Sequence, residues 1–262
     1  MKMCLSARIV EQSVPHMPLS DFLRLARDCG YDGIGLRSWQ IPAKPDKREL
    51  NHLALQVADS GLTACSITTD LERLPEAVAV ARCLGTWVIQ VGTNVGTLAA
   101  HLDQLDADMR IGPQMHTGGI YEQIASAAQD LTTVSDARIG VIVEPANLML
   151  AGVRNWEKEI WQPIANRIIG CNIQSVKVGE GTSEVRLRNG SIMHYQRKLF
   201  SENNHADWPG FFASLREAGY DGFVNVTEPA RDDMPITDLA WSCAAYLRQF
   251  IPVESEKDEA QP

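Results

Sequence analysis

Short apolar runs and amphipathic repeats alternate along almost the whole chain. The apolar runs at 3–10, 33–38, 63–69, 87–92, 110–117, 139–147, 171–178 and 222–228 have the length and composition of strands. Between them, apolar residues recur at helical spacing over 19–30, 47–61, 74–85, 97–109, 119–134, 154–168, 208–219 and 234–250. Ser20 reads as the cap of the first helix. Gly30, Gly61, Gly85 and Gly219 close four of the patterns, as expected of a residue that tolerates left-handed backbone. Eight such strand–helix units predict the α/β class and a single-domain (β/α)8 TIM barrel over 1–252. An open doubly wound sheet is the alternative, but neither Gly-x-Gly-x-x-Gly nor a P-loop pattern occurs.

Two stretches stand out from this alternation. Gly-Tyr-Asp-Gly occurs at 30–33 and again at 219–222, each time between a helix and a strand. The segment 179–206 follows the seventh strand and is long for a connection, so it is expected to be a lid or binding loop. The last ten residues, 253–262, are polar and acidic and are expected to be a disordered tail.

Composition narrows the function classes. The chain has 262 residues, is 45% hydrophobic and carries a formal net charge of -9. An acidic protein without a dense Lys/Arg block is a poor partner for a phosphate backbone, so no nucleic acid is expected. No apolar run approaches the ~20 residues of a membrane helix, and none is expected. The N-terminus lacks the features of a signal peptide. Six scattered cysteines without a Cys-x-x-Cys pair suit reduced thiols, and the chain is expected to be cytoplasmic.

Candidate chemistry follows from the barrel, whose active sites lie at the C-terminal ends of strands. Glu144 and Glu228 each close an apolar strand and precede a proline. Each is a base or ligand at the mouth, or merely exposed. Gln114 and His116 lie two apart and would point the same way on a strand. Lys177 is read either as a partner for a developing oxyanion or as a solvated loop residue. His194, in the long loop, is an acid or base that closes over substrate, or plain surface. Arg37, Gln90, Asn147 and Arg231 also close strands and are candidates for substrate binding; Arg37 and Arg231 would take an anionic or polyhydroxylated ligand or serve surface ion pairs, and Asn147 would hold a ligand or simply the proline turn. Trp39 is placed to stack on a sugar ring. Trp156, Trp161, Trp208 and Trp241 fall in helical patterns and are expected to pack.

Taken together, "GYDGIGLR", "QMHTGG", "EPAN", "IQSVKV" and "GYDGFVNVTEP" resemble the xylose isomerase-like barrel superfamily over about residues 2 to 250. The resemblance implies a sugar or sugar-phosphate isomerase or epimerase that moves a proton next to the carbonyl of a keto-sugar. A keto-sugar lyase or dehydratase, or a non-catalytic carbohydrate-binding barrel, is the alternative. The superfamily's endonuclease branch fits poorly, given six histidines and the acidic charge. Glu144 and Glu228 would be the catalytic pair, aided by His116 and Lys177. Glu144, Glu228 and Gln114 match metal-ligand positions, but the motif is eroded. Gln114 replaces a Glu, Glu144 an Asp, and Gly35 the second-strand Glu. No His matches the seventh-strand ligand; Gln174 and Ser175 lie nearest. The cofactor therefore stays open between Mn²⁺ or Mg²⁺ and no metal at all. A small carbohydrate-like substrate is the expected partner, and homo-oligomerisation is left open.

Overall fold

The computed structural model describes residues 1–13 and 15–252; the predicted acidic tail, 253–262, lies outside the described residues. The strands are β1 (Lys2–Ser6), β2 (Gly33–Arg37), β3 (Thr63–Thr69), β4 (Val88–Val91), β5 (Arg110–Gly112), β6 (Val141–Val143), β7 (Ile168–Ile173), β8 (Val176–Arg186), β9 (Ile192–Arg197) and β10 (Phe223–Val226). Eight of them form one parallel sheet in the order β5-β4-β3-β2-β1-β10-β7-β6. Its two edges meet: Ile111 N donates to Arg138 O at 2.8 Å, Ile142 N to Pro113 O at 2.8 Å, and Met115 N to Ile142 O at 2.8 Å. Those bonds close the sheet and leave no edge strand unpaired.

Eight α-helices alternate with the barrel strands: α1 (Leu19–Asp28), α2 (Lys47–Ser60), α3 (Leu74–Leu84), α4 (Val95–Ala99), α5 (Ile124–Leu131), α6 (Pro145–Leu150), α7 (Trp208–Glu217) and α8 (Ile236–Leu247). Local signals set their ends. Asp46 and Glu49 form a reciprocal capping box on α2. Asp207 caps α7, and a proline sits in its first turn. Ser20 lies inside α1, which starts one residue earlier, after Pro18.

The two Gly-Tyr-Asp-Gly copies are scaffold at the N-terminal foot of the barrel. Gly30 and Gly219 take φ of 78° and 87°, where a side chain would be strained. Tyr31 and Tyr220 are buried, and their hydroxyls donate to Ala240 O at 2.9 Å and Phe223 O at 2.6 Å. Asp32 Oδ2 accepts from Met3 N at 2.7 Å and so ties the turn to β1.

Two predicted elements differ. The seventh strand stops at Ile173, and after Gln174 and Ser175 the chain enters an antiparallel hairpin of β8 and β9. The stretch 179–206 is thus largely an ordered hairpin. Its glycines and solvent-facing charges conceal the strand pattern. Its tip is tied down: Glu122 accepts from Gly118 N at 2.6 Å and Arg188 N at 3.1 Å, and Arg188 Nη1 donates to Ile120 O at 2.8 Å. The helix predicted over 154–168 is replaced by short turns, while α6 begins directly after Glu144. Pro163 breaks the predicted helix. The apolar spacing there reflects Trp156 and Trp161, which stack at 5.8 Å and pack edge-on against Phe211. Trp208 is also buried, whereas Trp241 is exposed.

Candidate active site

A cavity of about 530 Å³ opens near the foot of the barrel, lined by Trp87, Arg110, Asn166 and Tyr220 among others. The acids and free cations lie at the opposite end, where barrel enzymes do their chemistry, and the site is placed there. Glu144 follows β6 directly and caps α6. It is fully buried. Its Oε1 accepts from Ala146 N at 3.2 Å, and its Oε2 from Gln174 Nε2 at 3.1 Å and from Asn147 Nδ2. Asn147 is itself fixed, donating to Met115 O at 3.3 Å and accepting from Thr117 Oγ1 at 3.0 Å.

Glu228 lies two residues past β10 and is 3% exposed. Its Oε1 accepts from Ser175 N, and its Oε2 lies 3.8 Å from Arg197 Nη1. The same Arg197 nitrogen donates to Gln174 Oε1 at 2.8 Å. A polar chain therefore runs Glu144–Gln174–Arg197–Glu228. The break between β7 and β8 creates it, because it frees Gln174 and Ser175 to face the two acids.

Burial raises both carboxyls from an ordinary 4.5 to about 7. For Glu144, the Gln174 hydrogen bond, Arg8 and the Ala146 N–H oppose burial, and Glu228 adds to it. For Glu228, the Ser175 N–H, Arg197, Arg8 and Arg231 oppose it. Near neutral pH each acid is divided between its protonated and ionised forms, the state a proton-transfer group needs.

Arg8 is the residue that sequence reasoning missed, since it fell inside the first predicted strand. β1 ends at Ser6, and Arg8 sits in the turn beyond it. Registers Leu5↔Val226 and Ser6↔Gly35 carry that turn alongside Glu228 on one side and Arg37 on the other. Its guanidinium has no hydrogen-bond acceptor among the described residues and feels Arg197, Glu144, Arg37 and Glu228. Burial, together with Arg197 and Arg37, lowers its pKa. The only signal in the sequence was a cation at the end of an apolar run.

The remaining candidates have other partners. Arg37 forms a two-pronged ion pair with Glu11, at 3.0 and 3.2 Å, which braces the turn carrying Arg8. Arg231 is paired with Asp233 at 2.8 and 2.9 Å. Trp39 is half-buried and stacks on His16 at 4.5 Å. His116 is exposed, with Nδ1 against Thr117 O at 2.8 Å, and does not join Gln114 on one face. Lys177 is on the hairpin, not at a barrel strand end, and pairs with Glu180 at 2.8 Å. His194 is exposed on β9 across from Glu184, in an ordered strand rather than a loop.

Gln90 and Gln114 belong to an amide network inside the barrel. Gln114 Oε1 accepts from Gln90 Nε2 at 3.0 Å and Asn172 Nδ2 at 2.8 Å, and Asn225 Nδ2 donates to Asn172 Oδ1 at 3.2 Å. Gly35 packs against this network: a Cβ there would come within 2.7 Å of Asn225 Oδ1. The space beside Gly35 is taken by the Asn225 amide.

This donor set does not suit a divalent ion. The oxygen of Gln114 that would coordinate already accepts two N–H groups, and Glu144 Oε2 accepts two more. Among the described residues, no group of three His, Cys, Asp or Glu side chains is placed to hold a metal. Two carboxylates with only amides and guanidinium groups around them are a poor match for Mg²⁺ or Mn²⁺.

A closed parallel barrel with two buried acids at the C-terminal ends of β6 and β10 defines a TIM barrel whose polar site is at its mouth. No family model matches the chain, and no curated protein matches it. Solved structures do. A xylose isomerase domain protein from Alicyclobacillus acidocaldarius is 16% identical with a TM-score of 0.73, over 96% of this chain and 98% of that one. D-psicose 3-epimerase, solved in the presence of D-fructose, is 10% identical with a TM-score of 0.73, over 97% and 100%. The probable 3-DHS dehydratase AsbF from Bacillus anthracis is 13% identical with a TM-score of 0.71, over 94% and 98%. The chain has the fold of the xylose isomerase-like TIM barrels. No helix among the described residues is long and apolar enough to cross a membrane.

Proposed function

We propose that the protein is a sugar isomerase or epimerase that moves a proton on the carbon next to a keto-sugar carbonyl. One observation carries the reading. Two buried carboxyls, each raised to about 7, are held in fixed relation by Gln174 and Arg197 at the barrel mouth. The ionised member removes the proton, and the protonated member returns one. Arg197 supplies positive charge for the enediolate oxygen that develops between the two steps. Since the donors do not suit a divalent ion, no step runs through one. His116, Lys177 and His194 make no hydrogen bond or ion pair with either acid and have no part in this scheme. Fold neighbours that include a sugar epimerase and a probable dehydratase support the reaction class.

The test is isotope exchange. The protein is incubated in D₂O with a panel of ketoses, keto-sugar acids and keto-sugar phosphates, and loss of the C–H signal is followed by proton NMR. One panel member is expected to exchange. Glu144→Gln and Glu228→Gln should fold normally and exchange roughly 100-fold more slowly or worse. Exchange at the wild-type rate in both variants rejects the assignment. A second reading, a carbohydrate-binding barrel without turnover, draws on the internal N–H donors that already occupy the acids. It predicts ligand binding with no exchange in the wild type.

A further inference from the structure

The arginines at the barrel mouth differ in how far they are engaged. Arg37 is matched by Glu11 and Arg231 by Asp233. Arg197 is shared between the Gln174 carbonyl and Glu228, the latter at 3.8 Å, longer than a hydrogen bond. Arg8 has no acceptor at all among the described residues. Strand register places it between the Glu228 and Arg37 positions, at the C-terminal end of β1. Its five N–H groups make no hydrogen bond to a described residue and the guanidinium is only partly buried, so its donors are open to a ligand. It persists in a protein whose net charge is -9.

We propose that Arg8 and Arg197 form an anion subsite in the barrel mouth, and that the substrate is an acidic keto-sugar whose carboxylate or phosphate is held there. This rests on the proton-transfer reading only for the word keto; the anion subsite itself stands on Arg8 and Arg197. A planar guanidinium pair matches the paired oxygens of either group. Anchoring the anion between β1 and β9 would extend the rest of the ligand toward Glu144 and Glu228. The same two cations place positive charge where the acids' chemistry develops negative charge. The hairpin that supplies Arg197 is tied at its far end to Glu122, so this half of the subsite is preorganised.

Binding is measured by isothermal titration on the full chain in EDTA, with three probes: D-fructose, D-fructose 6-phosphate and 2-keto-D-gluconate. At least one anionic probe should bind roughly ten- to a hundredfold more tightly than D-fructose. Whichever anion binds identifies the source, phosphate or carboxylate. Arg8→Met should lose that advantage, while Arg8→Lys should keep part of it. Should Arg8→Met fail to fold, Arg8→Lys and the loss of affinity with added salt carry the test. The proposal is overturned if D-fructose binds as tightly as both anions, if neither anion binds at millimolar concentration, or if Arg8→Met binds them like the wild type. Anion binding without proton exchange would leave the subsite standing and reject the reaction. Exchange on neutral ketoses alone would do the reverse.

Discussion

Glu228→Gln should make the protein relatively more stable as pH rises from 5 to 8. In the folded protein the Glu228 carboxyl titrates at about 7, against an ordinary 4.5. Between those values the folded chain binds more protons than the unfolded chain, so this group's contribution falls as pH rises and levels off above 7. The shift corresponds to about 3 kcal/mol, lost by the wild type across that window and absent in the glutamine variant. The groups facing Glu228 are Arg197, Arg8, Arg231 and the Ser175 N–H, all of which favour the ionised form, together with the coupled Glu144. They are already included in the net direction, which burial dominates. For a chain of this size, about 3 kcal/mol is worth roughly 6–12 °C in Tm. Scanning calorimetry of both proteins at pH 5, 6, 7 and 8, at constant ionic strength, reads the difference directly. Packing changes caused by the substitution are common to every pH and cancel. A difference in Tm that does not change with pH would refute the argument. That flat result would mean that the arginines outweigh burial and that Glu228 is ionised throughout.

Gln174→Met should move the pH dependence of isotope exchange to higher pH. Its amide is the largest influence holding Glu144 down against burial, so its loss raises that carboxyl further, which a pH–rate profile would show. Gly35→Ala should cost about 1–3 kcal/mol in urea unfolding, because the new methyl meets Asn225; adding Asn225→Ala should recover part of the loss. Glu122→Ala removes the acceptor for Gly118 N and Arg188 N, so the 179–206 segment should be cleaved faster in limited proteolysis while Tm changes little.

The strand–helix rhythm made the barrel legible because each strand is apolar and each helix amphipathic. The positions of Glu144 and Glu228 follow from the same rhythm, since each closes an apolar strand, while their burial does not. The sequence failed where a role depends on a partner far along the chain. Gln114 looked like a metal ligand by position, but its oxygen is engaged by Gln90 and by Asn172, 58 residues away. Lys177 and His194 were placed on a strand end and a loop, because a hairpin rich in Gly and charge does not show period-2 alternation. Arg8 was hidden by its own strand, and only the β1–β10 register reveals what it sits beside.

The acids and the anion subsite are energetically linked, and the sign of the link follows from the charges. Arg8 lowers the pKa of both Glu144 and Glu228. An anion bound to Arg8 and Arg197 would cancel part of that effect and add its own negative charge, so both carboxyls would be driven further toward their protonated forms. Ligand binding should therefore take up protons from solution near pH 7. By reciprocity, affinity for the anion should fall as pH rises through 7. Titrations in two buffers of different ionisation enthalpy would read the uptake as a difference in apparent heat. With 2-keto-D-gluconate, which has no group of its own titrating near pH 7, proton release would contradict the linkage, because it would require the bound anion to stabilise carboxylates of its own sign. The linkage also suits the chemistry. A bound substrate would supply the charge that keeps an acid protonated to return a proton.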